Sequence, residues 1–224
     1  MTASRVSAPT LRYERELLRS SGIASLACAD EAGRGALSGP VSVGVVVVTT
    51  QTKSAPQGVR DSKLLSQERR EELAPRIRSW AAAWAVGMAS AAEIDEIGII
   101  AAMRLAGHRA LAALPELPGT VLLDGNHDYL TPAEQPSLFG DEAVLMDMPP
   151  VVTRVKADLR CAGVAAASIL AKTARDEVMT RLSANHPEYG WAVNKGYSAP
   201  EHMDALRRHG PSPYHRVSWA LPGR

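Results

Sequence analysis

Apolar positions fall into short β-branched runs in the first half of the chain and into longer helical periods in the second. Residues 11–18 place leucines on one side of a charged segment, which predicts a short amphipathic helix. The runs 23–29 and 41–50 predict two strands, joined by a Gly/Ser-rich turn. A helix is expected over 66–79, with Ser66 as its cap and Pro75 as a kink or early stop. A third strand follows over 80–89, then helices over 92–97 and 99–114, the second ending before Pro115. Residues 121–123 and 151–155 read as short strands, and 163–184 as a long Ala-rich helix that Lys172 and Arg175 make unsuitable for a membrane. Ser198-Ala-Pro-Glu201 has the form of a capping box and opens a last helix towards His209. A cluster of strands followed by alternating helices indicates an α/β fold, a mixed sheet with helices on its faces. The Pro-rich stretch 126–150 reads as a loop excursion.

The 224 residues suit one domain, or a domain with an appendage. Hydrophobic residues make up 46% and aromatic ones only 4%, with Phe139 the sole Phe, so the core must be Ala, Val, Leu and Ile. Residues 1–21 are polar and show no signal peptide, and the longest uniformly apolar run, Val45 to Val48, is far too short to span a bilayer. Two cysteines, Cys28 and Cys161, make no disulfide framework and suit a reducing compartment; a soluble, cytoplasmic monomer is expected. The net charge of +1 gives no global signal for nucleic acid. From residue 195 onwards, however, Lys195, Arg207, Arg208, Arg216 and Arg224 face only Glu201 and Asp204, which makes 195–224 a candidate phosphate-facing surface.

Carboxylates close several of the apolar runs: Asp30 and Glu31 in Ala29-Asp-Glu-Ala-Gly-Arg-Gly35, Asp124 in Leu123-Asp-Gly-Asn126, and Asp158 in Lys156-Ala-Asp158. Acids gathered from separate strand ends repel unless a cation neutralises them, and carboxylate oxygens select Mg2+ or Mn2+. Such clusters serve phosphate-ester displacement assisted by two metals. The glycines of Gly33-Arg-Gly35 do not make a dinucleotide loop, because Pro40 and a β-branched run follow where a helix is required.

These segments, with Asp61-Ser-Lys63, Ile94-Asp-Glu96, Ala165-Ala-Ala-Ser-Ile169, Ala171-Lys172, Arg175-Asp176, Lys195-Gly-Tyr197 and Gly210-Pro-Ser-Pro-Tyr-His-Arg216, closely resemble bacterial type 2 ribonuclease H (ribonuclease HII) in family order. The resemblance runs from Ala24 to Trp219. It implies a single ribonuclease H-like catalytic domain over 1–224, built on a mixed five-stranded sheet flanked by helices, with a short C-terminal helical segment. It implies cleavage of the RNA strand of RNA/DNA hybrids and nicking 5′ of a single ribonucleotide in duplex DNA, leaving 3′-hydroxyl and 5′-phosphate ends. Asp30, Glu31, Asp124 and Asp158 would be the catalytic, metal-binding carboxylates. Gly33, Arg34 and Gly35 match the loop that reads the ribose 2′-hydroxyl, and Tyr197 the tyrosine that stacks on the sugar at the junction. Ser62, Lys63 and Lys172 are candidate phosphate contacts. The chain departs from the family in Ala157, where Gly is usual, and in Gly98, where Asn is common.

Gln135-Pro-Ser-Leu-Phe139 resembles the pentapeptide by which bacterial proteins dock on the replication sliding clamp; the alternative is that Leu138 and Phe139 pack on the domain's own core. Cys28 and Cys161 stand close in sequence to Asp30 and Asp158, as a redox pair or, more simply, as small buried hydrophobes. Two rival functions keep the same acids in view: a junction-resolving nuclease acting on all-DNA substrates, and a hybrid-binding module without catalysis.

Overall fold

The computed structural model describes residues 8–132 and 148–223. Helix α1 (Arg12–Ser20) leads into β1 (Ser25–Ala32) and β2 (Val41–Thr49), then α2 (Gln67–Trp80), β3 (Ala83–Ala89), α3 (Ala91–Ala112) and β4 (Thr120–Asp124). After β5 (Val151–Arg154) come α4 (Ala162–Ser183), the single turn α5 (Trp191–Asn194) and α6 (Pro200–His209). The five strands form one mixed sheet in the order β3-β2-β1-β4-β5. The β1–β2 and β2–β3 pairs are antiparallel, and β1–β4 and β4–β5 parallel.

Strand alternation divides the core into two layers. Leu26 and Cys28 of β1, with Val46 and Val48 of β2, pack on α1, α2 and α4. Ala27 and Ala29, with Val41, Val43, Val45 and Val47, pack on α3. Both layers are built mainly from Ala, Val, Leu and Ile, with Cys28 and Cys161 in the first and Met103 and Tyr129 in the second. A third, C-terminal cluster joins Met179, Leu206 and Leu221 to the stacked rings of Tyr189 and Trp191. Cys28 and Cys161 are free thiols buried in the α4 layer, where burial raises the pKa of both.

Several boundaries differ from the sequence expectation. Helix α2 continues through Pro75 to Trp80, whose indole N–H donates to the Lys53 carbonyl, so β3 starts at Ala83. Ser90 and Glu93 form a reciprocal capping box at α3, and Gly98 (φ 78°) breaks that helix where two were expected. The capping box expected at Ser198 does not form: Pro200 takes the first helical position, Ala199 becomes the cap, and Ser198 lies one residue too early. Among the described residues no helix is long and apolar enough to cross a membrane. Of the cations counted in 195–224, Lys195 and Arg216 are buried and Arg207 pairs with Asp204. Gln135–Phe139 lies outside the described residues.

Helix α4 packs closely against the sheet. A Cβ at Gly44 of β2 would stand 2.3 Å from the Ala167 carbonyl oxygen, so only glycine lets the two backbones approach. Glu14 of α1 holds the other end of α4: its buried carboxylate accepts the Gly163 N–H at 2.8 Å. Gly44→Ala is expected to push α4 off the sheet and lower stability by about 3 kcal/mol. Chemical denaturation checks this, and an unchanged midpoint would refute the close-packing argument.

Candidate active site

Asp30 and Glu31 lie inside β1, which extends beyond the expected strand end; they pair with Gly44 and Val43 of β2. Because side chains alternate along a strand, the two carboxylates leave the sheet on opposite faces. Asp30 continues the Leu26–Cys28 side towards α4, where the Ser168 hydroxyl lies against it. Ser168 in turn shares a 2.8 Å hydrogen bond with Ser62. Glu31 continues the other side and receives the Tyr129 hydroxyl at 3.5 Å.

Asp124 ends β4, the parallel neighbour of β1, and so arrives beside Asp30. Asp158 does not close a strand as expected. β5 stops at Arg154, Lys156 adopts a left-handed conformation (φ 58°), and Asp158 sits in the 3-10 turn Ala157–Leu159. Asp124 fixes that turn, its Oδ1 accepting the N–H groups of Ala157 at 2.7 Å and Asp158 at 3.3 Å. Asp30, Asp124 and Asp158 each thereby present an oxygen within 4.8 Å of the others. Glu31 stands outside this group of three but close enough to raise the Asp30 pKa.

The electrostatics show what the cluster lacks. Burial, followed by the repulsion of Glu31, pushes the Asp30 carboxyl well above the ordinary carboxylate range. Burial and then Asp124 raise Asp158 to about 6, and burial raises Glu31. Asp30 Oδ2 is buried and has no hydrogen-bond partner. Lys63 brings its exposed ammonium within 4.0 Å of Asp158 Oδ2, and Asp61 supports it by accepting the Lys63 N–H at 3.0 Å. An orphaned carboxylate oxygen among converging acids, all oxygen donors, fits a hard divalent cation.

The other expected contacts are placed unevenly around the acids. Gly33 is buried with φ 85°, whereas Arg34 and Gly35 are exposed and the Arg34 guanidinium reaches Glu31 at 3.9 Å. Tyr197 is 36% exposed, with Lys172 Nζ 5.5 Å and the Arg175 guanidinium 5.2 Å from its ring centre. Lys172 pairs with Asp176, and Ser62 is buried against Ser168 rather than open to solvent. Sequence reasoning gave no role to Ser168, Tyr129, Asp61 or Arg175, and it counted Arg216 only as a phosphate-facing cation, which its burial rules out. All but Tyr129 lie within the quoted motifs, whose order was the only signal available for them.

A profile of the ribonuclease HII family matches residues 27–221. The chain belongs to the ribonuclease HII family. A relative named Ribonuclease HII from Streptomyces avermitilis is 44% identical over 212 residues, covering 95% of this chain and 84% of its own. The ribonuclease H2 of Pyrococcus horikoshii OT3 superposes with a TM-score of 0.64 at 28% identity, covering 88% of this chain and 94% of that one. The ribonuclease HII in a PCNA complex from Archaeoglobus fulgidus does so with 0.64 at 29% identity, covering 87% and 93%. The five-stranded mixed sheet with flanking helices is therefore the ribonuclease H-like fold, and the family is one of ribonuclease H endonucleases, hydrolases acting on RNA paired with DNA.

Asp30→Asn exchanges the orphaned oxygen for an amide that can donate to the neighbouring carboxylates. In chelator this variant is expected to gain on the order of 1 kcal/mol in stability. Wild type, but not the variant, is expected to rise in melting temperature when Mn2+ is added. Calorimetry with and without the metal checks both, and an equal Mn2+ shift in the two proteins would place the cation elsewhere.

Proposed function

We propose that this chain is a divalent-cation-dependent endoribonuclease that cuts the RNA strand of RNA/DNA hybrids and nicks duplex DNA on the 5′ side of a single embedded ribonucleotide. The convergence of Asp30, Asp124 and Asp158, with its orphaned oxygen, carries this reading. A module that only bound nucleic acid would gain nothing from concentrating buried negative charge against phosphate.

Asp30, Asp124 and Asp158 would hold Mg2+ or Mn2+, with Glu31 at the margin of the group. Two such cations supply charge neutralisation at the scissile phosphate and make water a better nucleophile. In the hydrolysis, water oxygen bonds to phosphorus and the P–O3′ bond breaks; the leaving oxygen takes a proton, giving 3′-hydroxyl and 5′-phosphate ends. Lys63 stands at the edge of the acid group, where an exposed ammonium can take a phosphate oxygen and hold the strand in line. Ser168, held by Ser62, lies against Asp30 from behind, and the Tyr129 hydroxyl lies 3.5 Å from Glu31. The Gly33-Arg34-Gly35 loop reads the 2′-hydroxyl, the group that distinguishes ribose from deoxyribose. Tyr197 offers a half-open ring for stacking on the sugar. Lys172, close to that ring, and the exposed Arg208 of the C-terminal segment 195–224 add phosphate contacts within one catalytic domain, for which a cytoplasmic monomer is the simplest form.

Cleavage of a duplex carrying one ribonucleotide, in Mg2+ or Mn2+, tests the reading. Wild type is expected to nick 5′ of the ribonucleotide, and Asp30→Asn to lose at least about 100-fold in rate. Cutting of an all-DNA junction instead would favour a resolvase, and binding without any nick a non-catalytic module.

We also propose that Gln135–Phe139 docks on the sliding clamp, a reading supported by its Leu-Phe ending and by the PCNA complex of the Archaeoglobus fulgidus relative. Leu138→Ala with Phe139→Ala is expected to weaken clamp binding at least about tenfold in a titration. Unchanged binding with lowered thermal stability would assign the pair to the core.

A further inference from the structure

Two guanidinium groups lie fully buried beneath the Gly33-Arg34-Gly35 loop, and among the described residues neither makes a hydrogen bond to a carboxylate. Arg216 donates to the carbonyls of Gly33 at 2.7 Å, Arg34 at 2.8 Å and Gly39 at 3.2 Å. Arg175 donates to Pro40 at 2.8 Å, Ser38 at 3.0 Å and Lys195 at 2.8 Å. The acids that act on them electrostatically are bonded elsewhere: Asp176, beside Arg175, pairs with Arg70 and Lys172, and Asp95, facing Arg216, accepts from the Val217 and Ser218 amides. Burying a cation without a paired anion is costly, so an arrangement that keeps two of them calls for an explanation beyond packing. Burial and the adjacent Arg175 draw the Arg216 pKa down to about 9, which still leaves it a cation at neutral pH.

The bonding is one-sided. The Gly33 and Arg34 carbonyls are both engaged by Arg216, and Gly33 also accepts the Ala36 N–H. Arg34 and Gly35 are exposed residues whose amides make no hydrogen bond among the described residues. The Gly33 and Arg34 acceptors of the loop are therefore taken up inside the protein, while the Arg34 and Gly35 donors have no partner among the described residues. Space is fixed as firmly as polarity, since a Cβ at Gly33 would stand 2.0 Å from Arg175 Nε. The same Arg175 holds the Lys195 carbonyl two residues before Tyr197 and lies 5.2 Å from the Tyr197 ring centre. Around it His202 holds the Tyr197 carbonyl at 2.7 Å and meets His215, the neighbour of Arg216, at 3.0 Å.

We propose that Arg216, seconded by Arg175, is a positioning residue for ribose recognition: it occupies the loop carbonyls so that the Arg34 and Gly35 amides present donors to the 2′-oxygen, at a set distance from Tyr197. This rests on the function proposed above. A fork of planar donors is required because one group must hold three carbonyls at once, which a lysine ammonium on a flexible stem does not reproduce.

The test measures affinity in Ca2+ for a DNA duplex with one ribonucleotide and for the same duplex in all-DNA form, in wild type and Arg216→Lys. Wild type is expected to prefer the ribonucleotide duplex. The variant is expected to lose about tenfold or more of that preference while binding the all-DNA duplex as wild type does. A folded variant that keeps the preference overturns the proposal, and a wild type with no preference overturns the underlying reading of the loop instead. If Arg216→Lys does not fold, amide hydrogen exchange of wild type decides. Protection of Arg34 and Gly35 by the ribonucleotide duplex, and not by the all-DNA duplex, supports the proposal, and equal protection by both overturns it.

Discussion

The mutual repulsion of Asp30, Asp124 and Asp158 is the constraint around which this protein is organised. Parallel pairing of β1 with β4 brings two of these acids side by side, and a short turn after β5 delivers the third. Burial then raises the cost of ionising them together. The surrounding fold offsets only part of that cost. The Glu31 N–H satisfies one oxygen of Asp30, with the Ser168 hydroxyl beside it, backbone N–H groups satisfy Asp124, and Lys63 faces Asp158. The oxygen left without a partner on Asp30 is where the proposed cation would contribute most.

Helix α4 is the main instrument of this arrangement. The Gly44 contact sets its distance from the sheet and Glu14 holds its first turn, so Ser168 reaches Asp30 without a flexible intermediary. Further along, the same helix carries Lys172 and Arg175 towards Tyr197. One rigid element therefore supports both the acid group and the residues proposed to recognise the sugar, which lets cleavage and recognition share one geometry. The aromatic C-terminal cluster supports the far side of that recognition surface, and Arg216 crosses from it to the loop.

Much of the secondary structure was legible because it follows from local periodicity. The Val-rich run of β2, the break at Gly98 and the Ala-rich α4 lie close to where the apolar pattern puts them. Local signals failed where they competed. Pro75 did not stop α2, because packing of Leu73 and Ile77 outweighed one lost hydrogen bond, and Pro200 displaced the cap expected at Ser198. Asp158 could be picked out by its type and neighbours, but not its place in a turn, since the left-handed Lys156 carries no glycine to announce it.

The sequence by itself determined the family, the kinds of element and the identity of the acids, because motif order and hydrophobic period are properties of the chain alone. Only the tertiary structure decided which carboxylates converge, that Asp30 and Glu31 diverge to opposite faces, and that Ser62, Lys195 and Arg216 are buried. Those outcomes depend on strand pairing and helix approach between distant segments. A charge near the end of a chain reads as solvent-exposed until the fold shows that three backbone carbonyls have surrounded it.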